Sequence, residues 1–276
     1  MDFVNEFFFE REQYETLLLL LKRKTGLDLE GYRTSVAQRR IARRARKVGC
    51  RNIEQYLAYL RKNAEEARTL AEFVTLPVGR FFRNREVFEA IEKEVLPVLF
   101  AEVPGGRKIR LWSAGCGEGE EAYTMGMILK EKFSEQMKER PVEIIATDIN
   151  SMAIKNAQQG LYEKSRMVET PPLYMRKYFS ERDKYFQVDE NIIKMVKFRV
   201  ESLRNGRGVK GANLTLMRNL LIYFDRPRQE AIVEKITDCL AKGGFLVLSK
   251  TEMLPENYRA RYKQVSPENR IYRKAS

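Results

Sequence analysis

Residues 111–123, LWSAGCGEGEEAY, decide how the chain is read. An apolar run (Ile109, Leu111, Trp112) enters a tight turn carrying Gly115, Gly117 and Gly119, and a helical pattern follows. Strand, glycine turn and helix N-terminus in that order bring backbone close to a ligand, because glycine lacks an obstructing Cβ and accepts positive φ. Glu120 and Glu121 stand at the helix start. Two anions there would repel a pyrophosphate but suit a cationic or hydroxyl-bearing ligand. A GxGxG triplet alone is a weak signal, so the flanking chain must decide.

Downstream, a helix to about Arg140 is followed by VEIIATDI (142–149), an apolar β-rich run that reaches Asp148. Strand, glycine turn, helix and acid-tipped strand form a Rossmann-like βαβ unit, in which the acid accepts hydrogen bonds from a ribose diol. Ser151 is expected to cap a helix to Gln159. Runs 185–188 and 192–200 read as two strands joined by an Asp-Glu-Asn turn, an inserted hairpin. LTLM then leads into RNLLIYFDRP, where Asp225 and Pro227 signal a helix running to about Leu240. FLVLSKTE and the tail KQVSPENRIYRK supply the last strands. Alternating strands and helices predict an α/β sheet with its ligands at the carboxyl ends of the strands, where Gly115, Asp148, Asn219 and Glu252 fall.

Upstream, four helices are expected: 10–24 stopped by Gly26, 33–48 stopped by Gly49, 53–62 and 64–74. The second carries Arg33, Arg39, Arg40, Arg43, Arg44, Arg46 and Lys47 without an acidic residue, which points to an anionic partner rather than a solvated face of mixed sign. TLPVGRFFRNREVF (75–88) links this unit to the rest, with Asn84 expected to cap a helix to about Phe100. The reading is a helical N-terminal domain over 1–85 and an α/β domain over 86–276, with an inserted β subdomain at about 180–200.

Composition narrows the chemistry. The chain of 276 residues carries 51 Lys and Arg against 38 Asp and Glu, a net charge of +13, which suits nucleic acid, an acidic protein surface or anionic lipid. There is no histidine, so mechanisms that need an imidazole base are excluded. Cys50, Cys116 and Cys239 lie far apart, which gives neither a disulfide framework nor a metal site. No apolar run is long enough to span a bilayer, and the acidic N-terminus lacks the form of an export signal, so a cytoplasmic protein without membrane insertion is expected.

Between the two cofactor classes that share this opening, the residues favour S-adenosylmethionine (SAM) over a dinucleotide. The spacing is GxGxG rather than GxGxxG, and acids occupy the helix start, where a sulfonium and an ammonium are welcome. Further stretches extend the comparison. WSAGCGEGEEAYT resembles the WSAxCSTGEEPYS stretch of the chemotaxis receptor methyltransferases, the CheR family; VTLPVGRFFRNREVF resembles TxNxTxFFRExxxF, ATDIN the ASDID stretch, KFRVESL the VxFxxxNLL stretch, and RNLLIYFDRPRQEAI the CRNVxIYFDxxxQ stretch. RTSVAQRRIARRARKVG lies where that family has its arginine-rich helix.

The resemblance implies a Rossmann-like class I SAM-dependent methyltransferase domain with a small inserted β subdomain, preceded by a small all-helical domain. It implies transfer of a methyl group from SAM to glutamate side chains of chemoreceptors, leaving S-adenosylhomocysteine, with no metal and no nucleic acid involved and a monomer acting in the cytoplasm. Carried over by position, Glu121 and Asp148 match cofactor-binding acids, with Gly115 and Gly117 in the turn, Asn219 and Leu220 lining the site, and Ser202 and Leu203 near the adenine. Arg83 matches the arginine beside the cofactor carboxylate and the methyl-transfer centre. Tyr223 is expected to line the substrate carboxylate, and Arg40, Arg43 and Arg44 to grip acidic receptor helices. The chain also departs from the family. Pro77 and Gly79 stand for asparagine and threonine, Ser202 for asparagine, Asn213 for aspartate and SKTE for GHSE, and the short insert implies recognition without a receptor tether. The alternatives are a nucleic-acid methyltransferase, although an NPPY-like motif is replaced by Asn-Leu-Leu-Ile-Tyr, and a non-catalytic module that senses SAM or a related nucleotide.

Overall fold

The computed structural model describes residue 7, residues 9–75 and residues 79–275. The chain divides into two compact units. The first comprises the described residues of Met1–Leu76 together with Tyr223–Arg228, and the second those of Pro77–Ile222 and Gln229–Ser276.

In the first unit, α1 (Arg11–Thr25), α2 (Thr34–Lys47), α3 (Ile53–Lys62) and α4 (Ala64–Val74) surround a core of Leu17, Leu21, Ile41, Tyr56, Leu60 and Leu70. Gly26, at φ 75°, ends α1 as a left-handed cap, and the Asn52 side chain accepts the Gln55 N–H to open α3. The Tyr223–Arg228 segment closes this unit. Tyr32 stacks on Tyr223 at a centroid distance of 5.6 Å, the Arg33 N–H donates to the Tyr223 carbonyl at 2.7 Å, and the Asp225 N–H donates to the Gly31 carbonyl at 2.9 Å.

The second unit opens with α5 (Arg85–Ala90), a π turn (Ile91–Val95) and α6 (Leu96–Glu102). One unbroken helix is expected here, but Pro97 brings no N–H and its ring crowds the carbonyl four residues back. The Leu96 N–H instead reaches the Ile91 carbonyl, five residues back, which widens the turn. Asn84 is not the expected side-chain cap: it sits at φ 58° and makes no capping bond.

Then follow β1 (Ile109–Ala114), α7 (Glu120–Lys132), α8 (Ser134–Glu139), β2 (Val142–Asp148), α9 (Ser151–Gln159), β3 (Leu161–Glu163), a 3-10 turn (Lys164–Met167), α10 (Pro172–Tyr178), β4 (Phe179–Arg182), β5 (Tyr185–Val188), α11 (Glu190–Ile193), β6 (Val196–Val200) and β7 (Ala212–Leu216). The chain ends with α12 (Arg226–Cys239), β8 (Leu240–Val247), α13 (Glu256–Arg259), β9 (Tyr262–Ser266) and β10 (Ile271–Lys274). Seven strands form one sheet in the order β6-β2-β1-β7-β8-β10-β9, with β6 to β8 parallel and β10 antiparallel to both neighbours. β1 is covered on both faces, as a central parallel strand must be. The sheet runs outward from β1 in both directions, so the carboxyl ends of β1, β2 and β7 meet at the switch point where such folds bind ligands.

Two local expectations are corrected. The insert is a three-stranded antiparallel sheet in the order β3-β5-β4, whose hairpin is β4–β5; β6 belongs to the main sheet, paired with β2. The Asp-Glu-Asn cluster opens α11 instead of a hairpin, because the Asp189 carboxylate accepts the Asn191 N–H. At α9 the cap is Asn150, whose side chain accepts from Met152 and Ala153, and Ser151 is the first helical residue.

Candidate functional site

The glycine turn follows from the strand before it. Trp112 is fully buried and donates from Nε1 to Thr147 Oγ1 at 2.9 Å, which fixes β1 against β2. Beyond Ala114 the Gly115 and Cys116 N–H groups both donate to the Thr147 carbonyl, at 2.8 and 3.0 Å. Gly115, Gly117 and Gly119 have φ of 74°, 57° and 91°, the left-handed region that side chains avoid. A Cβ on Gly119 would also lie 2.8 Å from Phe198.

Asp148 closes the turn from β2. Its Oδ2 accepts the Gly117 N–H and its Oδ1 the Asn150 N–H, both at 2.8 Å. Burial pushes its pKa up, while these backbone donors pull the other way. A carboxylate has about four acceptor sites, so capacity for a diol remains. Ser202 and Leu203 lie just beyond β6, both half-buried, and the Ser202 hydroxyl accepts the Arg204 N–H at 3.1 Å. Asn219, at φ 56°, donates its N–H to Glu252, and the Leu220 side chain lies over Gly115. Glu252 is a buried brace that also accepts from the Ser249 N–H and hydroxyl.

The two acids of α7 diverge. Glu121 accepts from the Ser113 hydroxyl at 2.8 Å and from Arg218 Nη1 at 3.2 Å, and burial raises its pKa against the pull of Arg218. Glu120 is buried and turns to Arg166 Nη1 at 3.0 Å. Gly79 has a physical reason here: a Cβ at that position would collide with the Glu120 carboxylate. Pro77 lies outside the described residues, and Asn213 serves the sheet by accepting the Arg110 N–H.

Arg83 stands on strained backbone. Phe82 and Asn84, on either side, have φ of 54° and 58°, at a cost of about 1–3 kcal/mol each. The surroundings hold them there. The Phe82 N–H donates to Thr124 Oγ1 at 3.1 Å, the Asn84 N–H to Glu169 at 2.8 Å, and Arg218 Nη2 donates to both the Arg83 carbonyl and the Asn84 side-chain oxygen, at 2.7 and 3.1 Å. Arg218 is buried and stacks over Phe88. Sequence reasoning passed over Arg218, and the only signal was its place between β7 and Asn219.

In the first unit, the Tyr223 hydroxyl accepts from Arg40 Nη2 at 3.3 Å, and the Arg40 guanidinium lies 5.0 Å over the Tyr223 ring. Arg43 is exposed on α2. Arg44 is not: it forms a two-pronged pair with Glu66 at 2.8 and 2.6 Å, joined by the Tyr56 hydroxyl, so it braces α2 on α4.

Glycines that admit a close ligand, with the acids Glu121 and Asp148 beside them, fit a cationic ligand bearing a diol. No helix among the described residues is long and apolar enough to cross a membrane. The chain matches the CheR methyltransferase SAM-binding domain over residues 78–271 and the CheR all-alpha domain over residues 12–75. It is 31% identical over 241 residues to the chemotaxis protein methyltransferase of Listeria monocytogenes, covering 87% of this chain and 90% of that protein. It is 27% identical to that of Borreliella burgdorferi (91% and 92% covered) and 32% identical to chemotaxis protein methyltransferase 2 of Vibrio cholerae (84% and 82%). The acid-flanked glycine turn and these matches lead to one conclusion: the chain belongs to the CheR methyltransferase family.

Proposed function

We propose that the protein transfers the methyl group of SAM to glutamate carboxylates on the cytoplasmic helices of chemoreceptors, forming methyl esters. The observation that carries this is the Arg218 fork, which ties the strained turn bearing Arg83 to the cofactor acid Glu121. When bound, SAM supplies a methyl group on a sulfonium that an anionic oxygen can attack. Asp148 would accept from the ribose hydroxyls, and Glu121 would meet the positive end of the cofactor. Gly115, Gly117, Ser202, Leu203, Asn219 and Leu220 line the cofactor site. Arg83 orients the reacting carboxylate, and Arg40 and Arg43 draw acidic receptor helices to α2.

A glutamate with a pKa near 4.3 is already ionised at neutral pH, so the missing histidine is no obstacle. Orientation and exclusion of water do the rest, because attack of an anion on a cation disperses charge that water would stabilise. Incubation with radiolabelled SAM and receptor-bearing membranes, followed by base hydrolysis, tests this. Volatile, base-labile methanol is expected; base-stable label on protein or RNA would overturn it.

A further inference from the structure

Arg166, on the 3-10 turn between β3 and α10, belongs to no motif discussed above. Its guanidinium donates to Glu118 at 2.9 Å, to Glu120 at 3.0 Å and to the Gly79 carbonyl at 2.8 Å, and its own carbonyl accepts the Phe81 N–H at 3.1 Å. One residue therefore grips the glycine turn on one side and the segment entering the Arg83 turn on the other. Phe81 in turn packs edge-on against Tyr162 of β3 and Phe179 of β4, at 4.8 and 4.9 Å.

We propose that Arg166 is a positioning residue for methyl transfer, fixing the cofactor turn and the Arg83 segment relative to each other through Glu118, Glu120 and the Gly79 carbonyl. The inference rests on the SAM reading of the glycine turn. Gly79 is part of the device, since any side chain there would displace the Glu120 carboxylate. Substitution of threonine by glycine is then an adjustment to the Glu120–Arg166 pair rather than a loss of function. Glu120 titrates at about 7, chiefly because it is buried; Arg166 favours its charged form, and Glu118 and Glu121 oppose it. Cys116 and the Tyr162 hydroxyl also feel its charge. Below that pH a protonated Glu120 no longer pairs with Arg166 as an ion, and the grip weakens.

Calorimetric titration with S-adenosylhomocysteine from pH 6 to 8.5, alongside initial-rate kinetics, tests this on the full chain. Arg166→Gln is expected to weaken binding about tenfold, the loss of charged hydrogen bonds, and to lower kcat at saturating SAM; Arg166→Lys should restore part of both. Glu120→Gln should remove the gain in affinity that the unaltered protein shows as pH rises through 7. If Arg166→Gln fails to fold, Gly79→Ala reads the same device: its affinity should fall, and Gly79→Ala combined with Glu120→Asp, a shorter acid that clears the added Cβ and keeps the charge, should recover part of it. Affinities within twofold of the unaltered protein at every pH, with kcat unchanged, would overturn the proposal. Failure of the unaltered protein to bind would instead refute the cofactor reading.

Discussion

Arg83 and Arg44 are both half-buried arginines, but they stand in different surroundings. Arg83 sits between two residues in left-handed backbone, and strain of that kind persists only where the surroundings over-determine it. Arg83→Ala should lower methyl transfer by at least ~100-fold, as for loss of a group that acts on the reacting centre, while circular dichroism and thermal midpoint stay unchanged. Arg44 is committed to Glu66 and Tyr56 inside the helical unit, where burial and the Glu66 contact push the tyrosine pKa well up. Removing one partner strands the other without its counter-charge. Glu66→Ala should cost about 3–5 kcal/mol in chemical denaturation, with the SAM site untouched.

At the scale of elements, β1, the glycine turn and β2 were legible because apolar runs, glycines and an acidic tip are all local signals. The insert was less so. Asp189-Glu190-Asn191 suits a hairpin turn as well as a helix cap, and only the pairing of β6 with β2 distinguishes them. The contacts of Arg218 and Arg166 could not be read from local sequence, since Glu121 and Glu120 lie 97 and 46 residues away from them. The helix α2 was legible as a basic surface, but not which of its arginines is free to face a partner. With Arg43 exposed and Arg44 consumed, Arg43→Glu should slow receptor methylation several-fold, most at low salt where charge attraction is least screened, and leave S-adenosylhomocysteine affinity as it was.

At the scale of the molecule, buried acids set the response to pH. Glu120 has its pKa raised from 4.5 to about 7, so the folded protein binds a proton there that the unfolded chain releases. Stability from this group is present below about 4.5 and is lost as pH rises towards 7, on the order of 3 kcal/mol in all. Thermal midpoints measured from pH 4.5 to 8 should therefore fall more steeply for the unaltered protein than for Glu120→Gln. The helical unit adds a constraint of another kind, since Tyr223–Arg228 completes it from far along the chain. On the ribosome, Tyr32 waits without its stacking partner and Arg33 and Gly31 without their backbone bonds until β1, β2, β6 and β7 have been synthesised. The N-terminal unit thus emerges first and finishes late, and for that interval the Tyr32 ring lacks the Tyr223 and Phe224 rings that pack against it.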